Sequence, residues 1–173
     1  MDPISRGTRT LAIRVLACLA GVLLAACTPP RLFPLSGTDR TLTPELAASN
    51  FAMARGRRVV WGGVIATATN LPDRTELEVL SYPLDSSAQP DTGNKSAGRF
   101  ILQHPGYLET LDYAPGRLVT ATGTVTALRN GLVGKTPYRF PVLSATGLHL
   151  WPLPARASSS PAVQFGIGIG YFR

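Results

Sequence analysis

The sequence predicts a mainly β fold, a small antiparallel barrel of five to six strands preceded by one short helix. Three observations predict it. From Arg117 to Leu128 the chain alternates strictly, with Val119, Ala121, Gly123, Val125 and Ala127 on one side and Thr120, Thr122, Thr124 and Thr126 on the other. A period of two sends successive side chains to opposite faces, so this is a half-buried antiparallel strand. Other short apolar runs are separated by Gly/Pro turns, with almost no helical periodicity between them. Finally, the run Arg58–Ala66 carries a glycine pair, Gly62-Gly63, at its centre. Glycines inside a strand mark a bulge or strong coiling, as a small closed barrel requires.

The elements follow in order. Thr43 is a suitable N-cap, Pro44 fits the first helical position and Glu45 complements the helix dipole. A short helix is therefore expected from Pro44, ending between Asn50 and Gly56. The glycine-bearing run 58–66 is the first strand. Thr75–Leu80 alternates charged and apolar residues, so its strand has one face toward water. Pro83, Pro90 and polar residues mark a loop to about Ala97, and Gly98–Leu102 is the third strand. The turn signals Pro105-Gly106 and Ala114-Pro115-Gly116 bracket a connection, Tyr107–Tyr113, with room for one helical turn. The alternating strand 117–128 leads into Asn130-Gly131, a hairpin-turn dipeptide. Tyr138–Leu143 follows as a strand whose Pro141 needs an edge or a bulge, and Leu148–Trp151 is a last short strand. Trp61, Phe100 and Trp151 are expected in the core. Glycine-bearing strands that can curl tightly favour a barrel of oligonucleotide/oligosaccharide-binding (OB) architecture.

The two ends read differently from this body. Residues 1–14 carry Arg6, Arg9 and Arg14 against one acid, Asp2, and Val15–Ala26 is an uncharged apolar run ending in two alanines. Basic, apolar and small-residue regions in that order form a secretory signal. A bilayer-spanning helix needs roughly 20 apolar residues, more than this run supplies. Leu24-Ala25-Ala26-Cys27 resembles the lipobox of bacterial lipoproteins, in which small residues admit a peptidase and the thiol takes a diacylglyceryl group. Val15-Leu16-Ala17-Cys18 is a weaker match, with almost no apolar run before it. Cleavage before Cys27 removes three arginines and one aspartate, leaving 14 basic and 9 acidic residues and lowering the net charge from +7 to +5. The remainder then has no cysteine besides the anchor and must rely on packing without disulfides. Stable anchoring needs two lipid signals, which a multiply acylated cysteine provides. Residues 28–41, rich in proline and polar residues, read as a tether. At the other end, 154–161 is linker-like and Val163–Arg173 alternates glycine with apolar residues. That segment reads as an edge strand docked on the body, as a flexible tail, or as a strand offered to another envelope component.

Little in the chain carries chemistry. His104 and His149 fall in no metal-ligand spacing, and read as a turn histidine and a strand-surface histidine. There is no GxSxG elbow and no P-loop, and Gly166–Gly170 lacks the strand–turn–helix setting of a nucleotide loop. Glu76 and Glu78 share a strand face about 7 Å apart. Paired acids at that spacing suit glycoside chemistry, but a solvated strand face is the plainer reading. No enzyme, cofactor or metal is expected. Arg99, Arg117, Arg139, Trp61, Tyr113 and Tyr138 invite a nucleic-acid reading, which the export signal disfavours. Arg99 and Arg117 each follow a glycine at the start of a strand and are expected to pair with an acid such as Asp85 or Asp112. The candidate ligand or partner face comprises Tyr82, Arg99, Tyr113, Arg117 and Tyr138.

Several segments together resemble the Slp family of outer-membrane, starvation-inducible lipoproteins: VVWGGVI (59–65), TELEVLSYPLD (75–85), GRF (98–100), the spaced pattern from Tyr113 to Val125, and YRFPVL with LHLW (138–151). The resemblance implies an outer-membrane lipoprotein linked to stress or stationary phase, without enzymatic activity and without catalytic residues to carry over. Thr28, where an aspartate would imply inner-membrane retention, favours the outer membrane on the same grounds. The expected organisation is a signal peptide (1–26), lipidated Cys27 with its tether (27–41), a β domain (42–153) and a C-terminal linker with a Gly-rich strand or tail (154–173). The expected role is a periplasm-facing structural or interaction module, membrane-bound through Cys27, with an envelope protein as partner and no nucleic acid. The alternative is a small-molecule or glycan-binding module, favoured by a cavity with convergent polar groups and disfavoured by a filled barrel.

Overall fold

A computed structural model describes residues 37–153. The expectations for the signal, Cys27, most of the tether and the segment 154–173 lie outside the described residues. Helix α1 (Pro44–Ser49) begins where its cap residues place it. Thr43 is extended, and its hydroxyl accepts the Leu46 N–H at 3.2 Å. At Asn50 the backbone leaves helical geometry (φ −129°, ψ 69°), so the expected single helix is two, with the one-turn α2 (Phe51–Ala54) following.

Five strands form the barrel: β1 (Arg58–Asn70), β2 (Arg74–Tyr82), β3 (Arg99–Pro105), β4 (Leu118–Val133) and β5 (Thr136–Leu150). They close in the order β1-β2-β3-β5-β4 and back to β1, the connectivity of an OB-type barrel. Four neighbour pairs are antiparallel, while β3 and β5 run parallel through Ile101↔Val142 to Gln103↔Ser144. The parallel pair departs from an all-antiparallel expectation. Strands that alternate direction along the chain leave the third and fifth pointing the same way, and closure brings those two together.

The glycine pair does not mark the bulge of β1, whose register shifts between Ile65 and Thr67. Gly62 and Gly63 instead permit close approach. A Cβ on Gly63 would collide with the backbone carbonyl of Leu80, and one on Gly62 would meet Val119 O and Thr120 Oγ1 at 2.7 Å. Asn130-Gly131 does not turn the chain. Both residues lie inside β4, opposite Arg139 and Tyr138, and the turn comes at Gly134-Lys135, where Gly134 supplies a positive φ of 60°. The two expected C-terminal strands are one, because pairing with β4 continues from Thr136 to Leu150. Pro141 sits one residue before β5 begins to pair with β3, where its missing N–H breaks no bond on that side.

Inside, Val59, Ile65, Leu77, Val79, Phe100, Leu102, Val119, Val125 and Leu143 form a closed apolar core. Each such side chain contributes about 1.5–3 kcal/mol on burial, the source of stability in a body without cysteine. Trp61 meets Phe100 edge-on, with ring centroids 5.1 Å apart, and donates its indole N–H to Leu42 O at 2.6 Å. Trp151 donates to Thr120 Oγ1, which in turn donates to Ala88 O, tying the loop after β2 to the barrel wall. At one mouth the fully buried Ala47 and Ala54 seat the helix pair on the core. At the other, residues 106–117 cross the opening. They make one helical turn (Tyr113 N–H to Glu109 O, 3.0 Å), press Leu108 and Tyr113 on the core, and bond Leu108 N–H to the buried Thr75 hydroxyl.

Candidate functional site: a clasped sheet face and a cleft beside it

Barrels of this connectivity bind ligands on the outer face of β2 and β3, beside the β1–β2 and β4–β5 loops. Here that face is built by alternation. Thr75, Leu77, Val79 and Ser81 point inward, and Arg74, Glu76, Glu78, Leu80 and Tyr82 outward. On β3, Phe100 and Leu102 point inward while Arg99, Ile101 and Gln103 point outward. The outward residues are half-buried rather than exposed, because another part of the chain covers them.

The cover is the distal part of the β4–β5 hairpin. Beyond Thr124 strand β4 no longer pairs with β1, and before Val142 strand β5 does not yet pair with β3. Residues 127–141 are thus a free two-stranded arm, set off by a register shift between Val125 and Ala127. A bulge bends a strand and increases its twist. The arm returns to the β2–β3 face and is fastened at two points. Arg129 grips Glu76 as a two-pronged fork, at 2.7 Å and 2.9 Å. At the far end the Arg99 N–H donates to the Tyr138 hydroxyl at 2.8 Å. Within the arm Phe140 is only 4% accessible. Gly98, at φ +96°, adopts a backbone conformation that strains any L side chain, and its would-be Cβ lies only about 3 Å from both Glu45 and the Tyr138 hydroxyl.

Glu76 is the hub of this clasp. It also accepts from Gln103 at 2.9 Å and from Arg74 at 3.1 Å. The Arg129 fork, helped by Gln103 and Arg74, pulls its carboxyl from 4.5 down to about 2, against the opposing effect of burial. Neighbouring Glu78 is bound separately by Arg99 at 2.6 Å. The two acids do share a face, as the alternation requires. Glu76, held low by Arg129, is not the raised-pKa acid that glycoside chemistry needs, and Glu78 is engaged by Arg99.

The candidate face therefore divides. Arg99 and Tyr138 belong to the clasp, and Arg99 pairs with Glu78 rather than Asp85, because Glu78 faces outward two register positions away while Asp85 lies in the loop bonding its own backbone. Tyr113 and Arg117 sit at the opposite mouth. Tyr113 is half-buried, and burial raises its hydroxyl pKa. Among the described residues Arg117 bonds no carboxylate. Its guanidinium donates to the carbonyls of Asp112 and Trp151, at 2.9 Å and 3.1 Å, holding the crossing segment to the end of β5. Of the histidines, His104 lies within β3 opposite Thr75 rather than in a turn, and His149 packs edge-on against Trp151 at 4.6 Å. Among the described residues no three His, Cys, Asp or Glu side chains are grouped to hold a metal.

Tyr82, the remaining member of the candidate face, lines a separate cleft. Half-open and about 230 Å³ in volume, it runs between the incoming chain (Arg40, Leu42), the barrel wall (Trp61, Tyr82) and the loop after β2 (Leu84, Ala97). Its floor is apolar, and Ser81, the polar group beneath, is already spent on Gly62 O at 3.2 Å.

The chain is 36% identical over 106 residues to the Escherichia coli (strain K12) protein "Uncharacterized lipoprotein YeaY", covering 61% of this chain and 54% of that one. It is 32% identical over 98 residues to "Outer membrane protein Slp" of the same organism, covering 57% and 52%. The chain thus spans about half the length of the curated relatives it matches. Among solved structures, a small single-stranded DNA-binding protein from Streptomyces coelicolor aligns over 55% of this chain and 94% of that one, at 17% identity and a TM-score of 0.34. A likeness so loose carries no functional argument. The model of the outer membrane lipoprotein Slp family matches residues 24–171, a span that takes in the whole barrel. The chain belongs to the outer membrane lipoprotein Slp family.

Proposed function

We propose that this outer-membrane lipoprotein is held by lipid on Cys27, spaced from the bilayer by residues 28–41, and presents its barrel to the periplasm as a structural or interaction module. The observation that carries the reading is the clasped face: the surface on which OB-type barrels take ligands is filled by the protein's own arm. Both mouths are closed and the interior is packed, which favours a rigid body over a container. The association with stress or stationary phase rests on the family resemblance alone. Crosslinking and pull-down from envelope fractions, comparing wild type with Cys27→Ala, tests the role. Loss of both membrane fractionation and crosslinked partners supports tethered interaction; partners captured equally by the untethered variant speak against it.

A second reading is favoured by the cleft at Tyr82. Its size suits a small molecule or a single sugar, with Trp61 and Tyr82 as walls and Arg40 at the rim. Tyr82→Ala removes one wall. A ligand pool that protects wild type from thermal unfolding, and not the variant, supports this reading over the first.

A further inference from the structure

Four arginines gather where the described chain enters the barrel. Gly37–Arg40 leads in beside β1, bridging Asp39 to Val59 in parallel and donating Asp39 N–H to Arg58 O at 2.7 Å. Arg55 ends α2, and the chain turns through Gly56 and Arg57 into Arg58, the first residue of β1. Arg40, Arg55, Arg57 and Arg58 are all exposed, within two adjoining stretches of backbone. Two acids share this end: Asp39, tied to Arg57 at 2.7 Å, and Glu45, whose backbone sits against Ala97 on α1. Arg40, Arg55 and Arg58 have no ion-pair partner among the described residues. The helix pair beside them exposes two apolar side chains seven residues apart, Leu46 (54% accessible) and Met53 (67%). The opposite mouth is less basic, with Asp73, Glu109 and Asp112 beside Arg74 and Arg117, and it too exposes apolar side chains, Tyr107 and Leu111.

We infer that this basic, apolar-tipped end docks on an anionic phospholipid surface and sets the orientation of the body on the membrane. The inference rests on the proposed anchor at Cys27. Nine residues, 28–36, separate that cysteine from Gly37. Fully extended, such a tether reaches no more than about 36 Å. The arginine end is where the tether joins, so it is the end that the anchor brings to the bilayer. Electrostatic attraction acts within a Debye length of about 8 Å, and basic side chains close to anionic headgroups are the residues that gain from it. Met53 and Leu46 supply the apolar contact that an interfacial helix face makes. A phospholipid surface fits better than a protein partner because the tether to the anchor keeps this end within reach of the bilayer, and because the greater positive charge here than at the opposite mouth turns the body end-on in a planar field.

The test uses the full lipidated protein in vesicles, with Met53→Cys carrying an environment-sensitive fluorophore. Flotation reads the anchor, and emission at position 53 reads docking. The blue-shifted, docked population is expected on vesicles one-third phosphatidylglycerol and not on pure phosphatidylcholine. It should fall as salt is raised to about 0.5 M, where screening is strong. Arg55→Gln/Arg57→Gln/Arg58→Gln should lower the docked-to-undocked ratio on the order of 100-fold, roughly fivefold per charge removed. The corresponding triple Lys variant keeps the charge and should retain docking. Equal emission on the two vesicle types, or a triple Gln variant that docks like wild type, overturns the inference. Flotation with emission unchanged refutes docking and leaves the anchor standing. Flotation on anionic vesicles alone supports the patch and refutes the anchor, and flotation on neither refutes both.

Discussion

Replacing Glu76 by Gln removes the carboxylate that fastens the hairpin arm to the sheet. At neutral pH it leaves Arg129 and Arg74 facing an amide, and Gln103 without its charged acceptor. The folded pKa of about 2 against the ordinary 4.5 corresponds to about 3 kcal/mol, at about 1.36 kcal/mol per pH unit. Glu76 is only 14% accessible, but Arg129 is 42% accessible and partly screened by water, which brings the working value to about 1–2 kcal/mol. Because folding depresses the pKa, this contribution is complete above 4.5 and is lost as pH falls from there through about 2. Urea unfolding of wild type and Glu76→Gln at pH 7, 4.5, 3 and 2 checks it. The variant should be less stable by about 1–2 kcal/mol at pH 7, with the gap closing toward pH 2 as the wild-type carboxyl protonates. A gap that is absent at pH 7, or that stays constant down to pH 2, refutes the clasp as drawn.

Three further substitutions probe the barrel. Gly63→Ala forces a Cβ into the Leu80 carbonyl and should cost about 3 kcal/mol or more, because backbone on both strands must move; a midpoint of thermal unfolding within a degree of wild type contradicts the close approach. Trp61→Phe keeps the ring against Phe100 but deletes the bond to Leu42 O, and should cost about 1–2 kcal/mol, with faster amide exchange at residues 39–43 as the entering chain loosens. Arg117→Ala removes both carbonyl contacts between the crossing segment and β5 and should lower stability by about 1–2 kcal/mol without pH dependence between 4 and 8. A pH-dependent loss in that range would mean that Arg117 pairs with a carboxylate after all.

What the sequence made legible is the part governed by local chemistry. The alternation in β2 reads straight through to the observed faces, and Thr43-Pro44-Glu45 starts its helix on the residue named; in β4 it holds only in part, because Thr120 and Thr122 are buried beneath other chain and Ala127 is exposed. Trp61, Phe100 and Trp151 are buried as their size demands. The clasp was not legible, because it depends on how far the β4–β5 pairing runs. Asn130-Gly131 carries a strong turn signal, but the turn lies beyond it at Gly134-Lys135, and that displacement makes the hairpin long enough to fold back. Once the arm is in place, Arg129, an unremarked arginine next to a supposed turn, becomes the partner of Glu76 across a separation of 53 residues. No periodicity announces such a pair. The acid partners chosen for Arg99 and Arg117 failed for a related reason: proximity in sequence favoured Asp85 and Asp112, whereas register supplied Glu78 and two carbonyls. The cleft at Tyr82 is assembled from three separate stretches of chain, and only closure of the barrel brings them together.

Mass spectrometry of the N-terminal peptide of the protein isolated from outer-membrane fractions tests the anchor at Cys27 most directly. The predicted peptide begins at Cys27, followed by Thr28-Pro29-Pro30, and carries a diacylglyceryl thioether with an acylated amine. A chain that begins elsewhere, or an unmodified Cys27 thiol in the membrane-bound protein, would contradict it.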